Sequence, residues 1–257
     1  LVGSEMCIRD RARTAAQLRE ANAKLTRLSV QKDAFLSQIS HELRTPMTSI
    51  RAFSEILRDT TGLAPEEQHK YSSIIHDEAI RLTRLLDDLL DLSVLENGQV
   101  NLNLREGLLS DVLDRAVAAA AADEHGARLR IIRDPAAEQV RLNTDLDRLS
   151  QVFINLVANA RKYCDATRPA LEVRVHSRDR LVIDFVDNGT GISPEAQDVI
   201  FEKFSRVSDQ KAGGAGLGLA ICRQIVTRLG GEISYLKGQR GAAFRVVLPA
   251  DIAMAAE

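Results

Sequence analysis

The chain has 257 residues, 45% of them hydrophobic and 27% charged, with a formal net charge of −2. That length suits one large or two modest domains, and the balance is that of a soluble globular protein, not a disordered or fibrous one. Such a charge leaves no electrostatic footprint for nucleic acid. Cys7, Cys164 and Cys222 are too few and too scattered for a disulfide framework or a zinc site.

No run approaches the roughly 18 apolar residues of a membrane span, so no membrane contact is expected within the chain. The sequence opens on Leu1 rather than Met, and a fragment is expected. Its first residues, LVGSEMCIRDR, share no pattern with the rest of the chain and read as translated adapter sequence, so 1–11 are expected to be non-native. Leu18, Ala21, Leu25 and Leu28 fall at heptad spacing until Lys32 interrupts them. Residues 1–28 therefore read as an upstream linker with a short coiled-coil lead-in.

Residues 29–96 read as two long helices. Leu36, Leu43, Ile50 and Leu57 recur every seven residues, with Ile39 and Phe53 on the alternate seam. TTGLAP at 60–65 supplies a turn, and Pro65 suits a first helical position. The second helix carries Ile75, Leu82 and Leu89 on one seam and Leu85 and Leu92 on another, until ENG at 96–98 stops it. A single hairpin with narrow seams has little core, so a four-helix bundle made with a second copy, a homodimer, is expected.

From residue 100 to 250 the pattern turns mixed. VNLNL alternates like a strand, 109–123 reads as a helix, and RLRII and EQVRL read as strands. A helix follows from Asp145, a suitable N-cap, to about Cys164. ALEVRVHS and RLVIDFVD form a strand pair, a helix runs from about Leu217 to Leu229, and GEISYL and AAFRVVLP close the set. This order predicts an α/β sandwich, a mixed sheet with helices on one face, and leaves 251–257 as a tail.

The chemistry-bearing residues fall into two groups. In SQISHELRTPMTS, His41 lies about 140° round the helix from Leu36, on the polar side, with Glu42 beside it and Thr45 one turn on. A neutral imidazole attacks through one nitrogen while the other carries a proton that a neighbouring carboxylate can take. Pro46 removes the donor to the carbonyl of Glu42, which predicts a kink beside the histidine. A chance surface His–Glu pair is the plain alternative.

The second group is spread along the mixed region. In NLVANARKY, Asn155, Asn159 and Lys162 share one helical stripe: two amide oxygens and a cation, suited to Mg²⁺ and phosphate. DNGTGI ends a strand in Asp187, with Gly189 and Gly191 letting a ligand approach the backbone, and the carboxylate can accept from an adenine amino group. GGAGLGLAI runs a Gly-rich loop into a helix N-terminus, an anion-attracting arrangement that is neither a P-loop nor a Rossmann fingerprint. FEKFSR offers Phe201 and Phe204 as anchors and Arg206 as a phosphate contact.

Five such motifs in this order, over about 29–249, resemble bacterial sensor histidine kinases of two-component systems. The resemblance implies a dimerisation and histidine-phosphotransfer domain followed by a Bergerat-type ATP-binding sandwich. It implies ATP-dependent phosphorylation of His41, assistance from Glu42, relay to an Asp on the receiver domain of a separate response regulator, and regulator dephosphorylation helped by Thr45. Asn159 is similar to the Mg²⁺ ligand, Asn155 and Lys162 to phosphate neighbours, Tyr163 to a residue beside the nucleotide, and Asp187 to the adenine reader. Gly189, Gly191, Gly214, Gly216, Leu217 and Gly218 border the implied pocket, whose cofactors are ATP and Mg²⁺, and the implied location is cytoplasmic. Ala215 stands where Thr or Ser is common, and the segment 207–213 is short for the family. Two other readings remain. One is an ATP-driven clamp of gyrase or mismatch-repair type, which would need an acid where Asn155 stands. The other is a non-catalytic dimer that only docks regulators.

Overall fold

The computed structural model describes residues 2–96, 102–121, 129–177, 179–205, 216–249 and 252–254. Two compact units emerge, 1–82 and 83–257. The first is built from helix α1 (Val2–Asp59) and the opening turns of α2 (Pro65–Glu96). Between them Gly62 takes φ +82°, a left-handed conformation that glycine adopts without penalty. Pro65 opens α2, where its missing N–H costs nothing, and Glu67 Oε2 accepts from the Ala64 amide at 3.2 Å. Phe53 and Tyr71 stack across the hairpin with centroids 5.4 Å apart.

Helix α1 runs unbroken through Pro46, so the proline does not end it. Pro46 and Glu42 are both buried. Together with Ile39, Ile50, Phe53 and Leu57 they keep the three-and-four spacing of a packed seam. Pro46 is thus a core residue. Its interior position costs about 3 kcal/mol, which burial of its ring partly offsets. Leu36 and Met47 stay about half exposed in this single chain, so the hairpin's two helices leave part of its apolar surface uncovered.

The second unit holds the sheets. Strands β1 (Arg105–Leu108), β3 (Arg141–Thr144) and β8 (Ala253–Met254) form an antiparallel three-stranded sheet in the order β1-β3-β8. Strands β2 (Arg130–Ile132), β4 (Ala170–Ser177), β5 (Leu181–Asp187), β6 (Glu232–Tyr235) and β7 (Ala243–Leu248) form the larger sheet, β2-β4-β5-β7-β6. Only β2 and β4 pair in parallel, which makes that sheet mixed as expected. Helix α4 (Leu146–Tyr163) packs against both α3 (Leu109–Ala121) and α6 (Gly218–Arg228), with α4 on β4 and β5 and α6 on β6; a short α5 (Pro194–Gln197) precedes the Phe motif. Val173, Ile183, Phe185, Val246 and Leu248 supply the buried face of the sheet, and Phe153 of α4 meets Phe185 at 5.2 Å. Each such side chain contributes roughly 2 kcal/mol on leaving water.

Three expectations need correction. Of the stretch VNLNL, residues 102–104 are not strand and Val100 and Asn101 lie outside the described residues; the first described strand is Arg105–Leu108, whose rungs to β3 run from Arg105↔Thr144 to Leu108↔Arg141. The described residues form two sheets rather than one, since alternation in short segments does not say which partner a strand takes. The stretch read as a tail contains β8, whose residues pair with Arg141 and Leu142.

The last turns of α2 belong to this second unit. Leu85, Leu92 and Leu95 are buried, and Asp91 accepts from Arg148 Nη1 at 2.9 Å and Gln151 Nε2 at 2.6 Å, both on α4. Arg228 of α6 donates to the Leu95 carbonyl at 2.7 Å. Asp88 on the same turns has its carboxyl pushed up to about 6 by burial, then by Asp91 and Asp87. An unfolded Asp titrates near 3.9, so between about pH 4 and 6 the folded chain holds a proton that the unfolded chain has lost. Wild type therefore loses stability as pH rises through that window. In Asp88→Asn the loss is absent: thermal unfolding at pH 4 to 8 should show equal midpoints near pH 4 and a higher midpoint for the variant above pH 6.

Candidate functional site

The first cluster lies on α1. His41 is exposed, as its angle from the seam predicts. Thr45 is exposed too, and its hydroxyl donates back to the His41 carbonyl at 3.2 Å, the usual return bond of a helical threonine. Glu42 does not share that surface. It is 6% exposed, its Oε1 accepts from Gln38 Nε2 at 3.3 Å, and its Oε2 lies 3.8 Å from Arg81 Nη2 on α2. Glu42 follows His41 in the chain, but its side chain lies on the buried seam. Gln38 and Arg81 were not singled out from sequence, although Gln38 lies one turn before Glu42 and on its face.

The second cluster gathers on the 83–257 unit. Asp145 caps α4, its Oδ1 accepting from the Arg148 amide at 3.0 Å. Farther along α4, Asn155 and Asn159 are half-buried, and Lys162 is exposed with its ammonium 5.0 Å from the centre of the Tyr163 ring. The Asn155 amide reaches the carbonyl of Gly218, the first residue of α6, at 3.5 Å. A Cβ on Gly218 would come within 3.7 Å of that amide. Leu217 at the N-cap of α6 makes no side-chain capping bond, so among the described residues the first amides of the helix suit an anion. Leu217, just before it, is buried.

Asp187 ends β5 and is buried. Its Oδ1 accepts the amides of Gly189 at 2.9 Å and Ala242 at 3.0 Å, while Oδ2 has no hydrogen bond from another described residue. Burial pushes this carboxyl up, against the two amides that pull it down. The turn after it is fixed by Asp165, whose two oxygens accept from the Thr190 amide and hydroxyl, each at 2.8 Å. Those bonds hold the Asp165 carboxyl below its ordinary range. Gly191 has φ +83°, and Tyr235 Oη accepts from the Ile192 amide at 3.3 Å. Asp165, Tyr235 and Ala242 carry no motif, and only the fold brings them to the Asp187 turn.

Gly216 closes against the Phe motif. A Cβ there would sit 2.7 Å from the Ser205 carbonyl oxygen, and its φ of +70° also suits glycine. Phe201 is buried, with the Arg223 guanidinium 5.9 Å from its ring centre. Arg206 and Gly214, with the segment 207–213, lie outside the described residues. Cys164 and Cys222 are free thiols; burial pushes that of Cys222 up to about 12, which makes it unreactive. Among the described residues no helix is long and apolar enough to cross a membrane.

The donor set is consistent with a nucleotide. An acidic oxygen in a tight turn suits an adenine amino group, and uncapped amides and Lys162 suit phosphate. The half-buried Asn159 amide can join phosphate oxygens and water around Mg²⁺.

Two family descriptions match the chain: His Kinase A (phospho-acceptor) domain over residues 31–98, and Histidine kinase-, DNA gyrase B-, and HSP90-like ATPase over residues 144–252. Aerobic respiration control sensor protein ArcB of Escherichia coli (strain K12) is 34% identical over 236 residues, which cover 88% of this chain and 30% of that protein. Sensor protein kinase WalK of Staphylococcus aureus is 32% identical over 237 residues, 86% of this chain and 54% of that one. The chain thus spans about a third to a half of these relatives' lengths. Among solved structures, Acinetobacter baumannii histidine kinase AdeS superposes with a TM-score of 0.64 at 25% identity, over 82% of this chain and 98% of that one. Full-length ShkA in complex with AMPPNP gives 0.60 at 25% identity, over 86% of this chain and 46% of that one.

Proposed function

We propose, for a chain that belongs to the sensor histidine kinases of two-component systems and carries their phospho-acceptor and ATPase-type domains, that the γ-phosphoryl group of ATP passes to His41. The observation that carries this reading is an exposed His41 on a helix of phospho-acceptor type, in one chain with a buried Asp187 whose Oδ2 takes no hydrogen bond from another described residue. The ATPase family alone would also fit a clamp of gyrase type. The phospho-acceptor match over 31–98 is what favours a kinase, and Asn155 cannot serve as the base that activates water.

In this reading Asp187 accepts from the adenine amino group, with Gly189 and Gly191 giving the base room and Tyr163 at its side. Asn155, Lys162 and the amides at Leu217 and Gly218 face the phosphates, joined by Arg206, Gly214 and Gly216. Asn159 holds Mg²⁺, which neutralises phosphate charge when bound. One ring nitrogen of His41 bonds to the γ-phosphorus as the bond to ADP breaks, and the proton on the other nitrogen passes to Glu42. The chain's work is positioning and charge neutralisation, as phosphoryl transfer requires.

The uncovered apolar surface of the hairpin supports a homodimer. The phosphoryl group then moves to an Asp on the receiver domain of a response regulator, and Thr45 assists dephosphorylation of that regulator by water. A cytoplasmic location suits both ATP and regulator. Residues 29–96 form the dimerisation and phosphotransfer domain and 100–250 the catalytic domain. Incubation with γ-labelled ATP and Mg²⁺ should leave label on the denatured protein, transferable to a receiver domain. Steady phosphate release with no labelled protein would favour the clamp instead.

A further inference from the structure

The Glu42 carboxylate has partners on the buried seam. Gln38 occupies Oε1 and Arg81 faces Oε2, and Glu42 is 6% exposed whereas His41 is exposed. Arg81 is itself divided. Its Nη2 lies 3.8 Å from Glu42 and its Nη1 3.6 Å from Glu78 Oε2, one turn earlier on α2. Neither is the short bidentate pairing that Arg makes when it serves one carboxylate. Glu78 Oε2 is buried and takes no hydrogen bond from the described residues, so this second acid gains when Arg81 moves closer. Two buried or half-buried acids thus compete for one guanidinium across the hairpin.

We propose that Arg81, shared between Glu42 and Glu78, is a positioning residue that holds Glu42 out of reach of the His41 proton and sets how often it is released. This rests on the reading of His41 as phosphoryl acceptor. A carboxylate paired with a guanidinium is turned toward its partner, so withdrawal of Arg81 toward Glu78 frees it to turn toward the histidine. The proton balance is that of the reaction itself: the ring proton moves to Glu42 as the nitrogen–phosphorus bond forms and ADP leaves.

The test is the rate of label incorporation from γ-labelled ATP into the full chain, with kcat and KM separated. In Glu78→Gln the competing charge is gone, Arg81 settles on Glu42, and kcat should fall several-fold with KM for ATP unchanged. In Arg81→Met kcat should rise several-fold, and Arg81→Lys should return it toward wild type. Thermal unfolding reports whether each variant is folded, and Glu78→Gln decides the matter alone if Arg81→Met is not. A wild type that takes no label contradicts the assignment of His41. A wild type that labels normally, with kcat in Glu78→Gln unchanged or raised, or with both substitutions lowering kcat together, overturns the role of Arg81.

Discussion

His41→Gln should abolish protein labelling from γ-labelled ATP, lowering it at least about 100-fold, while ATP affinity stays within about twofold of wild type. The split follows from where the residues lie. His41 is exposed on α1 in the 1–82 unit, and every residue proposed to bind nucleotide lies in the 83–257 unit. Exchange of an exposed side chain usually changes stability by no more than about 0.5 kcal/mol, so the variant stays folded. Glutamine keeps the length and polarity but has no nitrogen lone pair to attack phosphorus. Label retained in this variant would move the acceptor elsewhere.

Asp187→Asn should weaken ATP binding about 10- to 100-fold, the loss of one charged hydrogen bond. Its Oδ1 already accepts from Gly189 and Ala242. In the variant the amide oxygen stays on those donors, which turns the NH₂ toward the adenine amino group, donor against donor. Titration calorimetry should read the weaker affinity with an unfolding midpoint close to wild type. Gly241→Ala is the harsher change, because a Cβ there would overlap both the carbonyl and the carboxylate oxygens of Asp187. That variant should lose ATP binding and thermal stability together. Full ATP affinity in Asp187→Asn would remove Asp187 from the base-reading role.

What the sequence made legible were patterns confined to one element. The Asn155–Asn159–Lys162 stripe needs only helical period, and Asp145 as N-cap and the strands around Asp187 are short-range signals too. Contacts across the fold were not legible. The amide of Ala242 reaches Asp187 over 55 positions, and that of Thr190 reaches Asp165 over 25, through pairings that no local pattern encodes. The burial of Glu42 went unread for a different reason. Three residues after Ile39 and four before Pro46 is a seam position, but a carboxylate stays there only with partners such as Gln38 and Arg81, which no local pattern names. The same arithmetic places Pro46, read from sequence as the site of a kink, on the buried seam. Strand β8 was missed because two residues carry no periodicity at all.

The central claim is tested most directly by the position and chemistry of the transferred group. After incubation with ATP and Mg²⁺, mass spectrometry of the protein, handled at alkaline pH, should place one phosphoryl group on His41, and brief acid treatment should remove it. Phosphate on a serine, threonine or another histidine with residue 41 unmodified, or an acid-stable modification, would contradict the account.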